Sequence, residues 1–443
     1  MNQFTFYHVT DIHVNCPDDK DDAEYKKQAI ERMATLDTVF DQIIADKDVD
    51  TVVISGDEAN HGRYTEHKLF IEHARRLLDA GKKVYLTTAT HDFGLTKVDA
   101  EGRSEFREGV ANRRELRGLY DDFGFKDSIA EFDELSYVAK PCDGFRILCL
   151  NDDGGAGYSG YSEKQKEWID AQVKDAQENG DYIFAVTHHP VNPPSPIYPA
   201  ISRGSMLGDY ENMSKHFADI GIKFVFTGHT HMHSIRSIKT EKGNTLYDIN
   251  TGTISEFPLK FRKATIYDNG EADIETVPVS RLPFDTKGMS ASEYYEYCFD
   301  RRILNAVDGM ENDFDKFVRE IGSLAINANP LRSKQKLLKP VGKILNNITV
   351  GGVCRLILCP KGADKKIKDM KFKCLLAELI KNTYRGDEPY AEGTPVYKAV
   401  MAIVSRVQPF VKKKLAGTDF EDLKGFLATV LYDPTPDSNA HLK

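Results

Sequence analysis

A chain of 443 residues is too long for one ordinary hydrophobic core and calls for a large domain with a smaller companion. With 41% hydrophobic and 29% charged residues it is neither disordered nor fibrous, and no apolar stretch approaches the roughly 20 residues that cross a bilayer. The net charge of −9 divides unevenly, with 33 basic and 49 acidic side chains in residues 1–285 and 26 and 19 in residues 286–443. The acidic first part disfavours broad attraction to nucleic acid and suits a site that gathers cations. The same shift marks a boundary between a first domain, 1–285, and a helical accessory domain, 286–443.

The N-terminus, MNQFTFYHVTDIH, lacks a basic leader and enters an alternating strand at once, so the expectation is a cytoplasmic protein without a secretory signal. The helical pattern Tyr25–Ala45 follows, then the strand DTVVISG, the helix His67–Ala80 and the strand KKVYLTT. Leu95–Glu134 reads as charged and irregular. Its Arg103, Arg107, Arg113, Arg114 and Arg117 are either a solvated helix face or phosphate contacts in a specificity insertion. FRILCLN, YIFAVTH and IKFVFTG continue the strands. The helix Ser162–Glu178 lies among them, with capping-box spacing from Ser162 to Gln165 and a stop at Gly180. Strands alternating with helices predict a largely parallel sheet covered on both faces, with ligands gathered at the carboxyl ends of its strands.

After GHTHMH the texture changes. HSIRSIKT, NTLYDINT, FRKATIYD and ADIETVPV read as antiparallel strands with turns at KGN and DNG. From Ser290 the chain is mainly helical: Ser290–Glu293 and Thr418–Glu421 have capping-box spacing, and Thr394-Pro395 opens a helix. KKIKDMKFKCLLAELIK sets Ile367, Met370 and Cys374 at helical spacing. This basic amphipathic pattern either packs on its own domain or meets a membrane or acidic partner. The tail, DPTPDSNAHLK, reads as frayed. Seven cysteines (16, 142, 149, 298, 354, 359 and 374) without CxxC spacing indicate neither a disulfide framework nor a zinc knuckle, and Cys149 reads as a small buried hydrophobe.

Five strand ends carry metal-type residues: Asp11 and His13, Asp57, His91 and Asp92, His188 and His189, and His229 and His231. Alternate strand residues share a face, so D-x-H and H-x-H each aim two side chains into one pocket. Carboxylate oxygen with imidazole nitrogen suits Mn, Fe, Zn, Co or Ni better than calcium. Two such groups sharing an aspartate could hold two divalent ions about 3.5–4 Å apart, a spacing that clamps an in-line phosphoryl displacement.

The ordered set DxH, GD, HD, HHP and GHxH resembles that of the calcineurin-like metallophosphoesterases over about residues 1–280. The resemblance implies a β-sandwich core flanked by helices, with a mainly helical accessory domain behind it. It implies one ion on Asp11, His13, Asp57 and His231 and a second on Asp57, His188 and His229. His91 would match the catalytic histidine that assists the leaving group, and a metal-bound hydroxide would be the nucleophile. Spacing to the Pro favours His188 over His189 as the ligand. The departure is Thr90, which stands where the family has the Asn of GNH[DE]; a hydroxyl is a poorer ligand, so the second site should be weaker.

GDEANHG and the long helical tail make the chain look similar to bacterial phosphodiesterases of this family, including those acting on cyclic nucleotides. A small phosphoester substrate is thus the expected partner. A nuclease of the same superfamily and a weakened phosphoester-binding protein are the alternatives. Asn60 and His61 are candidates for substrate contact, and Asn60 also for the missing ligand. His8 reads as a satisfied interior histidine and His233 as a solvated turn.

Overall fold

The computed structural model describes residues 2–93, 109–153, 159–196, 198–322, 329–359, 364–414 and 422–443. In chain order the first elements are β1 (Gln3–Val9), α1 (Ala23–Ala45), β2 (Thr51–Ser55), α2 (Tyr64–Asp79), β3 (Lys83–Thr87) and α3 (Arg113–Leu119). Then come β4 (Ser128–Phe132), β5 (Ser136–Cys142), β6 (Phe145–Cys149), α4 (Glu163–Glu178), β7 (Tyr182–Val186), α5 (Tyr198–Ser202), α6 (Tyr210–Ile220) and β8 (Phe224–Thr227). β9 (Ser234–Lys239), β10 (Thr245–Asn250), β11 (Lys260–Tyr267) and β12 (Ala272–Pro278) follow. The remaining helices are α7 (Ala291–Asn312), α8 (Phe314–Gly322), α9 (Gln335–Asn347), α10 (Val350–Leu356), α11 (Phe372–Arg385), α12 (Pro395–Lys414) and α13 (Leu423–Leu431), and β13 (Ala440–Leu442) closes the chain.

All ten strands predicted from the sequence form, but not in one largely parallel sheet. There are two mixed sheets, ordered β13-β12-β11-β1-β2-β3 and β4-β5-β6-β7-β8-β10-β9. Pairing is parallel through β1-β2-β3 and β6-β7-β8-β10, where helical crossovers or long returns connect the strands, and antiparallel elsewhere. The sheets pack through alternate residues of β1. Phe4 and Phe6 meet Phe184 at 6.2 and 5.2 Å between ring centroids, and Phe6 also meets Phe226 at 5.0 Å. The next residue on that face is His8. It is buried between Thr251 Oγ1 (2.7 Å) and Ser55 Oγ (2.9 Å), the satisfied interior histidine expected.

The segment expected to be irregular contains α3 and β4, with β5 directly after it; its residues 95–108, with Arg103 and Arg107, lie outside the described residues. Arg113 bonds Asn151 Oδ1 at 3.0 Å and pairs with Asp153 and Asp133, and Arg117 pairs with Glu131 and Asp121. These guanidinium groups are already matched by carboxylates. At α4 the predicted cap is half of a box: Ser162 accepts from Gln165 N, while Gln165 Nε2 donates to the Asn151 carbonyl at 2.8 Å. Cys149 is buried within β6 and free, as expected.

The chain divides into two compact units. One comprises Met1–Pro194, Gly204–Tyr294 and Asp437–Lys443; the other comprises Ser195–Arg203 and Tyr295–Pro436. The second unit is mainly helical, with a core of Val350, Ile367, Leu375, Val396, Ala399, Val400, Val404 and Leu431. Helix α11 starts only at Phe372, so Ile367 and Met370 precede it, and Ile367 reaches the core from a turn. The Ser290–Glu293 box forms. The Thr418 box lies outside the described residues, and Asp422 caps α13. In this unit Lys381 is buried among Glu296, Asp300 and Glu378, with Nζ to oxygen distances of 2.8, 3.1 and 2.6 Å. Among the described residues no helix is long and apolar enough to cross a membrane.

The tail is not frayed. β13 pairs antiparallel with β12 in the register Ala272↔Leu442 to Ile274↔Ala440, and the buried Asp437 accepts from Ile235 N at 2.7 Å.

Candidate metal centre

The strand-end residues converge in the first unit. Donor atoms of three overlapping groups lie within 4.8 Å of one another: Asp11, His13 and His231; His13, Asp57 and His91; and Asp57, His188 and His229. His231 Nε2 is 3.3 Å from Asp11 Oδ1, His188 Nε2 is 3.0 Å from Asp57 Oδ2, and His13 Nε2 is 3.8 Å from Asp57 Oδ2. Asp57 therefore faces both ends of the cluster.

The pleat of the strands does not produce this convergence. β1 ends at Val9 and β8 at Thr227, before the paired residues. Asp11, His13, Asp57, His229 and His231 instead have left-handed φ angles of 52°, 49°, 56°, 66° and 57°, five of the twelve non-glycine cases among the described residues. Such a conformation costs energy for a branched side chain and persists only where its surroundings over-determine it. Here the intervening Ile12 is buried on its own side while the acid and the imidazole turn inward. Gly56, at φ 96°, precedes Asp57 where a Cβ would come 2.7 Å from Ala89 Cβ and 2.9 Å from His188 Nδ1.

The charge balance of the cluster fits divalent cations. Asp11 Oδ2 accepts from Thr10 Oγ1 and His229 N, both at 2.9 Å, while its Oδ1 is buried with no hydrogen-bond partner and faces three imidazoles. Burial alone would raise the carboxyls of Asp11 and Asp57, but the neighbouring histidines hold both well below the usual range. Burial lowers the imidazoles in turn, and it holds His13 down at about 4. The charges of Asp57 and Asp11 overcome it at His188 and His231, raising each to about 10. Two buried carboxylates thus draw two positive charges into the pocket, and without metal the positive charges are protons. A metal must displace them.

The calcineurin-like phosphoesterase family model matches residues 4–233, just over half the chain. The chain belongs to that family. It is a metal-dependent phosphoesterase with the α/β fold of two sheets flanked by helices. Among solved structures it is similar to a dimetal phosphatase from Danio rerio, at 16% identity and a TM-score of 0.44 over 62% of this chain and 96% of that one. It is also similar to purple acid phosphatase PPD1 from yellow lupin, Lupinus luteus, at 14% identity and 0.44 over 66% and 53% of the chains. The NAD nucleotidase of Haemophilus influenzae follows at 13% identity and 0.35, over 79% and 62%. Among curated proteins no match was found.

In this phosphoesterase the remaining predicted residues divide. His91 donates its main-chain N–H to Asp57 Oδ1 at 3.1 Å, and its Nδ1 lies 2.7 Å from the Asn60 carbonyl. Asn60 thus positions His91 through its main chain, while its carboxamide turns to Asn15 Oδ1 at 2.8 Å rather than replacing the missing ligand. His61 is tied to Glu66 Oε1 at 2.9 Å. Thr90 is 1% exposed in the turn that leads from β3 to His91. His189 lies behind His229, with 4.1 Å between rings, and its Nδ1 is held by Asp152 Oδ1 at 2.9 Å. His233 is no solvated turn: it is fully buried, with Nε2 2.8 Å from Thr276 Oγ1 and Nδ1 accepting from Gly252 N at 3.2 Å.

The sequence did not single out the groups that aim the donors. His188 Nδ1 donates to the Ser55 carbonyl at 2.8 Å, which leaves Nε2 for the cluster. Asp92 never bonds the His91 ring. It accepts from Asp57 N (3.0 Å), Ala59 N (2.9 Å) and Ala89 N (2.7 Å), and so ties two strand-end loops together. Burial, with the Asp92 charge beside it, pushes the Glu58 carboxyl well up. Glu256 Oε1 lies 2.8 Å from His231 Nδ1, and Thr253 Oγ1 donates to the Asp11 carbonyl at 2.7 Å, both from the loop after β10. Asp152 had a signal, since it follows the strand FRILCLN in NDD. Glu256 had none. Glu256→Gln is expected to weaken Mn2+ binding by about 10- to 100-fold in calorimetry, because the imidazole loses the carboxylate that fixes and polarises it. Affinity within threefold of wild type would show that His231 is aimed without it.

Proposed function

We propose that this phosphoesterase hydrolyses phosphodiesters at two divalent ions, within the phosphodiesterase branch of its family. Asp11, His13, Asp57 and His231 would hold one ion, and Asp57, His188 and His229 the other, with Thr90 a weak neutral donor at best. The reading is carried by the convergence of these donors around the buried Asp11 Oδ1, which lies 3.3 Å from His231 Nε2. When bound, the ions supply Lewis acidity toward a phosphoryl oxygen and water acidic enough to attack near neutral pH. Asp57 links the two sites, with Oδ2 3.0 Å from His188 Nε2 and 3.8 Å from His13 Nε2. His91 is partly exposed at the edge of the cluster, its ring 4.9 Å from that of His13. The Asn60 carbonyl can only accept, so Nδ1 keeps its proton and Nε2 is the end available to the substrate. As an imidazolium, His91 can pass the Nε2 proton to the departing alkoxide while Nδ1–H stays on Asn60.

The preference for a diester rests on charge. A monoester dianion calls for guanidinium or ammonium partners, yet among the described residues of the Leu95–Glu134 segment Arg113 and Arg117 are spent on carboxylates. A singly charged diester needs no such partner. With Mn2+ loaded, kcat/KM for bis(p-nitrophenyl) phosphate is expected to exceed that for p-nitrophenyl phosphate by about tenfold or more, about 1.4 kcal/mol of transition-state preference. An equal or reversed ratio rejects the diester preference and keeps the phosphoesterase. Mn2+ binding without turnover of either ester would favour a binding protein disabled at Thr90.

A further inference from the structure

Helix α9 is seated by one side only. Leu338 packs against the cluster of Ala306, Phe314, Phe317 and Val318, and Gly342 is buried where a Cβ would come 2.8 Å from Glu311 N. On another side Leu337 is 71% exposed, Val341 41% and Ile344 55%. At the helical step of about 100° per residue, these three span an arc of only about 60°. Lys336 and Lys343 are exposed about 80–100° round the helix from the nearer edge of that arc, across Pro340, Lys339 is exposed on the side opposite it, and none of the three makes an ion pair among the described residues. Residues 329–347 carry five basic side chains and no acidic one.

We propose that this face docks on an anionic phospholipid surface. The helix has 13 residues, far short of a span, so it would lie in the interface with its aliphatic arc at the acyl boundary. Lysine suits that position, because its stem lies along apolar surface while the ammonium meets the headgroups. Lysine is depleted from protein interfaces, and the arc has none of the Trp, Tyr or Arg anchors on which protein contacts depend. A second copy is a poor occupant, since symmetric pairing of α9 would bring like-charged flanks together.

Co-sedimentation of the full chain with vesicles of phosphatidylcholine, alone or mixed with phosphatidylglycerol, tests the proposal. The bound fraction is expected to be at least about tenfold higher on the anionic vesicles and to collapse at high salt. K336Q/K343Q should lose the preference for phosphatidylglycerol, and L337Q/I344Q should lose binding, both with unchanged circular dichroism and melting temperature. Equal binding to both vesicle types, no binding to either, or full binding by L337Q/I344Q overturns the proposal. So does a dimer in solution that L337Q/I344Q converts to monomer, which would make the face a self-contact.

Discussion

Asp57→Asn is expected to lower turnover of the Mn2+-loaded enzyme about 10³-fold and to remove most of the thermal stabilisation that Mn2+ gives the wild type. The fold should survive the change. An Asn oxygen can still accept from His91 N, as Asp57 Oδ1 does at 3.1 Å. What disappears is the charge at Oδ2, the atom that faces His188 and His13 together. Without it the His188 imidazole no longer holds an extra proton, because Asp57 is the main force opposing its burial. The apoprotein therefore loses a matched pair of charges rather than leaving one stranded, and its melting temperature should move little. The loss falls on the metal-bound form. Three decades in rate correspond to about 4 kcal/mol, the scale of charge stabilisation by a metal acting as Lewis acid. The thermal readout is independent of turnover, since a ligand at a hundredfold excess over Kd adds about 2.7 kcal/mol to stability. If the variant keeps a tenth of wild-type activity and the full Mn2+ shift, Asp57 does not bridge the ions.

The donor residues were legible because strand ends mark themselves: an apolar run stops, and a His or Asp follows where a solvated turn residue would be ordinary. How they converge was not legible. The alternation argument places D-x-H partners on one face of a strand, whereas the chain has left the strand and turned left-handed at Asp11, His13, His229 and His231. Partners also escaped wherever the other group is remote in sequence. Glu256 looks like any loop glutamate until His231 is found 2.8 Å away. His233 looked solvated because nothing nearby could satisfy it, and its partner Thr276 lies 43 positions on. Fold elements failed for similar reasons. SIAEF is short and half exposed, and SYVAKPC contains a lysine and a proline, so neither reads as the strand it becomes once paired. β13 has only three residues, and no local pattern could reveal that β12 receives them.

Removing residues 437–443 is expected to lower the apoprotein melting temperature by roughly 10 °C or more, from about 4 kcal/mol of lost stability. Arg262 is the reason. It is the largest fully buried side chain among the described residues, and its guanidinium bonds main-chain carbonyls of Ser438 (3.2 Å), Asp437 (2.9 Å), Asn250 (3.1 Å) and Ser234 (3.3 Å). The first two leave with the tail, so two acceptors of a buried cation vanish. Hydrogen bonds to charged groups contribute about 1.5–3 kcal/mol each, and an unmatched buried charge costs more than a missing neutral bond. The Asp437 bond to Ile235 N and the burial of Leu442 are lost as well. Replacing Arg262 by Met in the truncated chain should restore part of the loss, whereas the same replacement in the full chain should destabilise it. That reversal of sign separates a stranded guanidinium from a general loss of packing. The damage should also reach the metal centre. Arg262 braces the carbonyls of Ser234 and Asn250, where β9 and β10 meet the His231 and Glu256 loops, and Ser438 accepts from Thr276 Oγ1, the partner of His233. Mn2+ affinity should therefore fall along with stability. A truncated chain that melts within 2 °C of wild type and binds Mn2+ equally well would show that water can replace the tail around Arg262.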